Sequence, residues 1–582
     1  MADIHAGIRD VCQGEVIELP RRDGRERHFV IENGEDLLRL SQWASQHDYY
    51  FCTMVANDER LLEDHIFKLY YLFSAPDGFL VTLEYPLNDP LHPTKYPSIR
   101  PSFPSVEPLE HRLYDTFGLS PHTGEVHSGT LLHTPYPPEY YPLRQGRTRD
   151  KLEERARAYS PPTHSASAIE MPEGMLAMPV GPIHAGVIEA GCFQFHLAGE
   201  VIEEVRIRLG YKHRGIEKLF QTSYTLERGH ELAERVSGDA SFAHSMAFCH
   251  AVESLAGVEV PLAARYWRGL LLELERFSNH AGDIAALVHD MAFELLASEL
   301  AVVREQTLRL NQRVCGHRLL RGVNVPGGVH LLHRPHLNDV QRTIETLAAR
   351  LLNLGKSVLE MPACRERMVN TGVLTCNEAR TGGATGLVAR ASGLWKHDFR
   401  LRHPCGVYAI PALALADELR HTVVLSDDDL PSSIHRRVPI YLSDLQGDVF
   451  ARLALRVAEA ETSVHLVARL VAALRQKGGR SEPLVVPLEK LLRAVPNFEY
   501  GIGYAESWRG EIIYWLMKGP RNTIFRCDLR DPSLFNWTAM RQAIIRKPDP
   551  RDPTGRRYLE NILADFPLIN KSFNLSYAGH DL

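Results

Sequence analysis

The sequence predicts an α+β protein, a small N-terminal mixed α/β domain followed by a large, mainly helical one. Two long stripes of apolar residues that step by three and four, at 270–291 and 449–471, ask for helices with one buried face. A run of strict alternation before residue 90 asks for a strand. Between these regions, residues 147–178 turn polar, charged and then rich in serine, threonine and proline ("RTRDKLEERARAYSPPTHSASA"), which is linker composition. A chain of 582 residues is in any case too long for one core. The expected division is 1–146, a linker at 147–178, and 179–582.

Taken in order, "DGFLVTLEYPL" reads as a strand: Phe79, Val81 and Leu83 alternate with Leu80, Thr82 and Glu84 after an Asp77-Gly78 turn. "DERLLEDHIFKLYYLF", from Asp58, reads as a helix. A proline-rich tract follows ("HPTKYPSIRPSFPSVEP"), then "LEHRLYDTFGL". In the second domain a long helix is expected after Pro261, running past His289, with Leu270, Leu274, Phe277, Ala281, Ile284, Leu287 and Met291 along one side. Another carries Val449, Leu453, Val457, Ala460, Val464, Val467 and Val471.

Composition removes several functions. With 66 basic and 72 acidic residues, a net charge of -6 and no dense Lys/Arg block, nothing suggests nucleic acid. No run of eighteen apolar residues offers a membrane span, and "MADIHAGIRD" is not a secretory signal. The nine cysteines contain no CxxC, the closest pair being Cys364 and Cys376, so zinc, iron–sulfur ligation and a redox dithiol are not expected from this chain. Scattered single thiols fit a reducing cytosol.

Two polar patches stand out. His280, Asp283 and Asp290 interrupt the apolar long helix, where ionisable groups cost free energy unless paired or used; the plain alternative is that they meet arginines or cap a neighbour. "GYKHRGIEKLF" packs Lys212, His213, Arg214, Glu217 and Lys218 together, and Arg214 with Glu217 could be an ordinary solvated i,i+3 pair. "GIGYAE" and "TGGATG" are incomplete phosphate loops, and neither Gly-x-Ser-x-Gly nor HExxH occurs. Residue chemistry alone stops at a helical protein with a polar cluster.

Taken together, "GPIHAG" (Gly181 to Gly186), "GYKHRGIEK", "AERVSGDASFAHSMAFCHAVE", "HRLLRGVNVPGG", "RASGLWKHDFR", "GDVFARLALR" and "ESWRGE" occur in an order that resembles the large subunit of membrane-bound nickel–iron hydrogenases of the formate-hydrogenlyase type. They also resemble its relative, the large quinone-site subunit of respiratory complex I. The front domain resembles the small soluble subunit of complex I through "EHRLYDTFGL" (Glu110 to Leu119) and "YYPLRQ", with Arg112 where that signature has its second glutamate. A fusion of both modules is what formate-hydrogenlyase-type large subunits look like.

The resemblance implies a nickel site of four thiolates, two from R-x-C-G-x-C and two from D-P-C-x-x-C. In this sequence the four positions are Ser237, Ala240, Ser576 and Gly579. Two hard oxygens and two residues without donors are no exchange for soft thiolates, so no metal is expected. "RVCG" at Arg313 has no second cysteine and lies in another segment. The walls remain: Arg214, Glu217, Arg235, Gly238, His244 and Asp398 are present.

In complex I the matching cavity resembles a quinone-headgroup site, and this chain keeps His184 and Asp290 from it but has no tyrosine between Arg235 and Ala240. Glu217 is placed like a hydrogenase proton-exit acid, and Arg214 like the arginine beside a partner's terminal iron–sulfur cluster. The resemblance therefore implies a peripheral oxidoreductase subunit on the cytoplasmic side of the inner or plasma membrane, related to NADH–quinone oxidoreductases. His184, Asp290, Glu217 and His244 would handle protons, with Arg214, Arg235 and Asp398 around the carrier. No cofactor is expected to belong to this chain. A quinone is the candidate carrier, and the cluster belongs to an iron–sulfur partner beside antiporter-like and other membrane subunits. The alternative is a catalytically silent coupling or assembly module; a working hydrogenase is the reading that ligand chemistry opposes.

Overall fold

The computed structural model describes residues 3–62, 65–124, 126, 129–133, 136–160, 174–184, 188–394, 397–413, 415–420, 422, 445–477 and 483–582. The front domain is a five-stranded sheet of order β1-β2-β5-β4-β3, from β1 (Val16–Leu19), β2 (Glu26–Ile31), β3 (Tyr50–Asp58), β4 (Phe67–Ser74) and β5 (Leu80–Pro86). Only β2 and β5 run parallel. Helices α1 (Ile4–Val11), α2 (Gly34–Gln46) and α3 (Glu107–Phe117) accompany it.

The expected helix at 58–73 is corrected here: Phe67–Ser74 is a strand, antiparallel to both β3 and β5. Its odd residues Phe67, Leu69, Tyr71 and Phe73 enter the front domain's own core. Tyr70 and Leu72 enter a second core shared with the large domain. A strand covered on both faces has no polar phase, so its apolar run imitates a buried helix.

A helix α4 (Arg149–Ala158) with no buried residue follows, within the stretch expected to be a linker; residues 161–173 of that stretch lie outside the described residues. A three-stranded antiparallel sheet, β6 (Leu176–Val180), β7 (Cys192–Ala198) and β8 (Val201–Arg208), opens the large domain. Its centre is a bundle of α7 (Leu262–Asp290), α8 (Glu294–Cys315), α9 (Leu337–Glu360) and α11 (Val449–Lys477), fed by α5 (Ile216–Ser223), α6 (Ser241–Ala256) and α10 (Gly386–Ala391). Every residue of both predicted apolar stripes is buried.

A second antiparallel sheet, β9 (Tyr500–Glu506), β10 (Glu511–Lys518) and β11 (Ile524–Arg530), ties the two domains together. One face meets the front sheet, with Trp515 against Tyr70 at 4.9 Å between ring centroids. The other lies directly on α6: a side chain at Gly503 would stand 2.1 Å from the Ala247 carbonyl oxygen. That close approach is what "GIGYAE" provides, in place of a phosphate loop. The chain closes with α12 (Ser533–Ile544), α13 (Phe566–Phe573) and α14 (Tyr577–Asp581). Among the described residues no helix is long and apolar enough to cross a membrane.

Candidate functional site

The loop before α6 and the joint between α13 and α14 meet. Asn574 ends α13 in the left-handed conformation, φ 45°, and turns the chain so that Ser576 caps α14 by accepting the Gly579 N–H at 2.9 Å. The Ser576 hydroxyl also lies 3.0 Å from that of Ser237, and Ser237 donates to Asp239 at 2.7 Å. Ala240, fully buried, returns its N–H to the Ser237 carbonyl at 3.2 Å. A side-chain carbon at Gly579 would stand 2.6 Å from the Asp531 carboxyl carbon, so that position is packed shut.

Ion pairs close around this knot. Asp239 takes the Arg509 guanidinium, and Asp283 takes Arg456 at 2.7 Å. Asp531 holds His244 at 3.1 Å, with Tyr514 3.1 Å from the other ring nitrogen. Burial opposes ionisation of Asp531, yet His244 and Arg509 outweigh it and hold the carboxyl down at about 2. Beside the knot is a cavity of about 410 Å³ whose wall includes Ser237, Asp239, Asp283, Lys571, Ser576 and Tyr577.

The expected site residues separate into groups. His184 reaches the cavity through Tyr577, whose hydroxyl lies 3.3 Å from His184 Nε2, and Asp290 through an ion pair with Lys571. His244 lies behind the cavity, fully buried against Asp531. Glu217 does not join them. It is buried at the front-domain contact, where Arg112 donates at 2.6 Å and Arg526 stands at 3.3 Å. The expected solvated Arg214–Glu217 pair is therefore replaced by a buried network that also holds Asp528, 2.8 Å from Arg112. Burial would raise the Glu217 carboxyl, and the two arginines hold it below its usual value.

Arg214 donates to the carbonyls of Arg235 and Val236 at 2.8 and 2.7 Å, positioning the loop that carries Ser237. Arg235 is exposed beside Glu234, and Asp398 is a buried bidentate partner of Arg400. None of these three forms the cavity wall. Tyr577 is a residue that the sequence motifs did not mark: a tyrosine is expected beside the first pair of lost ligands, whereas this one adjoins Ser576.

The chain is similar to subunits of complex I and of membrane-bound hydrogenases. Residues 298–547 match the family model for the 49 Kd subunit of respiratory-chain NADH dehydrogenase. Formate hydrogenlyase subunit 5 of Escherichia coli (strain K12) is 28% identical over 543 residues, 91% of this chain and 84% of that protein. An NADH-quinone oxidoreductase subunit of Roseiflexus sp. (strain RS-1) is 29% identical over 373 residues, 63% of this chain and 91% of that one. Among solved structures, a chain of the membrane-bound sulfane sulfur reductase, an archaeal respiratory membrane complex, shares the fold. It aligns with a TM-score of 0.57 and 22% identity over 70% of this chain and 99% of its own. The homologues are subunits of oxidoreductase complexes, complex I-like and hydrogenase-related.

Proposed function

We propose that this chain is the peripheral large subunit of a membrane-bound, complex-I-like oxidoreductase in which nickel chemistry has been lost and the cavity receives a quinone or similar carrier. The observation that carries the reading is the His184–Tyr577 contact at 3.3 Å on the wall beside the Ser237–Ser576 knot. A carbonyl-bearing headgroup seated there would accept the Tyr577 O–H, and His184 would resupply the proton from the cavity mouth. Two electrons from a partner's iron–sulfur cluster and two protons reduce a quinone to its hydroquinone; Tyr577 and Lys571, both on the cavity wall, would be the donors, with Asp290 paired to Lys571.

The donor set does not fit nickel. Ser237 and Ser576 satisfy each other, Ala240 has no donor atom, and Gly579 faces a carboxylate too close for any side chain. In this reading the chain sits on the cytoplasmic face of the membrane, against an iron–sulfur subunit and antiporter-like membrane subunits. NADH would act only through other subunits.

One observation favours a silent coupling module instead: Asp239, Asp283 and Asp290, three of the acids at or behind the wall, are each paired with a cation. Carrier-dependent turnover of the assembled complex decides between the two. Tyr577→Phe and His184→Ala are expected to reduce it at least about tenfold with assembly intact; turnover unchanged in both would leave the coupling module. Stoichiometric nickel in the purified complex would overturn the loss of the metal.

A further inference from the structure

Behind the cavity lies a second cluster of ionisable groups that the carrier site does not use. One face of α7 carries Glu273, Arg276 and His280; α11 adds Glu459, α10 adds Arg390, the segment after it adds Asp398 and Arg400, and β9 ends in Glu506. All are buried. Arg400 links Asp398 at 2.7 Å to Glu273 at 3.1 Å, and Arg276 binds Glu273 at 3.1 Å. Arg390 links Glu459 at 2.8 Å to Glu506 at 2.9 Å, and His280 Nε2 meets Glu459 at 3.1 Å.

The charges do not balance if every acid is ionised. Three guanidiniums face four carboxyl groups, and an unmatched buried charge is expensive. The neighbouring ions are already matched, Arg456 with Asp283 and Glu511 with Arg530, so they supply no spare cation. One proton must therefore reside in the cluster near neutral pH, on His280 or on a carboxyl group.

The bonding decides which. Glu273 is served by two arginines, the Tyr408 hydroxyl at 2.6 Å and Ser463 at 2.7 Å. Asp398 is bidentate with Arg400, and Glu459 has Arg390 and His280. Glu506 accepts from Arg390 through one oxygen only, and its other oxygen is buried without a partner. His280 Nδ1 is likewise buried and unpartnered. A proton on His280 would leave two charged groups bare, an imidazolium N–H and a carboxylate oxygen. A proton on Glu506 leaves only a neutral O–H and a neutral lone pair, which cost less, so the histidine is neutral.

We propose that this cluster is a proton store and that Glu506 is the group that holds and releases the proton. Its use by the carrier rests on the function proposed above. Release is a simple ionisation: the Glu506 O–H bond breaks, the carboxylate stays on Arg390, and no electron moves. The groups facing Glu506 are Arg390, Asp398, Arg400 and Glu511; those facing His280 are Glu459, Arg276 and Arg456. Burial, only partly offset by Arg390, raises the Glu506 carboxyl to about 7, and burial lowers His280. The position suits the role. His280 stands one helical turn before Asp283 of the cavity wall. Trp508, two residues beyond Glu506, donates its indole N–H at 3.0 Å to the carbonyl of Asp239 on that wall.

Infrared titration of the isolated full-length chain in heavy water tests this without any carrier. Expected is a protonated-carboxyl band that titrates out near neutral pH in the wild-type chain and is absent from Glu506→Gln. Glu234, Glu275, Asp448 and Asp528 are also raised and give bands that both proteins share. Glu506→Asp with residue-specific carbon-13 labelling covers a poorly folding glutamine variant: one titrating band should leave the glutamate label and one more should appear in the aspartate label, beside those of Asp448 and Asp528. A band unchanged in Glu506→Gln, or no transfer between labels in Glu506→Asp, overturns the store. Because no turnover is read, a positive titration in a complex that reduces no carrier would sink the carrier reading and leave the store standing.

Discussion

Ser237 and Ser576 lie 339 positions apart in the chain and share a hydrogen bond of 3.0 Å between their hydroxyls. Two side chains this close can be joined by a disulfide once both are sulfurs, provided the flanking backbone stays in place. The double substitution Ser237→Cys with Ser576→Cys should cross-link the loop before α6 to the C-terminal joint under mild oxidation. Peptide mapping by mass spectrometry would show the linked pair. Two free thiols after oxidation would mean that the two loops do not meet.

Arg112 of the front domain is the main cation for Glu217 of the large one, with Asp528 sharing it. Arg112→Ala leaves two buried carboxylates to Arg526 alone, a loss of about 3–5 kcal/mol. A lowered melting temperature measures it. Adding Glu217→Leu to Arg112→Leu should recover part of the loss, because the remaining Arg526–Asp528 pair is balanced. Strictly additive losses would remove the inter-domain role assigned to Glu217.

Glu275 on α7 takes the place of a capping side chain at α6, accepting the N–H groups of Phe242 at 2.7 Å and Ala243 at 3.1 Å. Burial nonetheless raises its carboxyl to about 8, well above the unfolded value near 4.5. The unfolded chain then gives up this proton first, so the native state binds more protons between those limits. Stability from this residue is present below pH 4.5 and declines as pH rises toward 8. Glu275→Gln keeps an acceptor oxygen and removes the titration. It should flatten the decline and be more stable than wild type at pH 8 by about 4 kcal/mol. Parallel pH–stability curves for the two proteins would contradict this.

The domain boundary can be tested with trypsin. None of the residues of α4 is buried, and Arg149, Lys151, Arg155 and Arg157 are exposed along it. The first cuts should fall there, and the two fragments should stay associated through the shared core of Tyr70, Tyr500 and Trp515. First cleavage elsewhere would move the boundary.

What the sequence determined by itself were the features with a local period or a local motif. The stripes from Leu270 and Val449 announced α7 and α11 because a single apolar face repeats with the helical turn. The ordered motifs announced the large-subunit class and marked Ser237, Ala240, Ser576 and Gly579. Tertiary structure decided whatever depends on contacts between distant segments. Strand β4 lost its polar phase because a second sheet covers its outer face, so no local pattern could distinguish it from a helix. Glu217 looked like the neighbour of Arg214, three residues away, but its charge is met by Arg112, 105 residues away in another domain. Tyr577 and His184 are 393 residues apart, and only the turn at Asn574 brings the hydroxyl to the imidazole. Charge balance in a buried cluster is likewise a property of the packed ensemble of side chains, since each ion's cost depends on which partners the fold brings within reach.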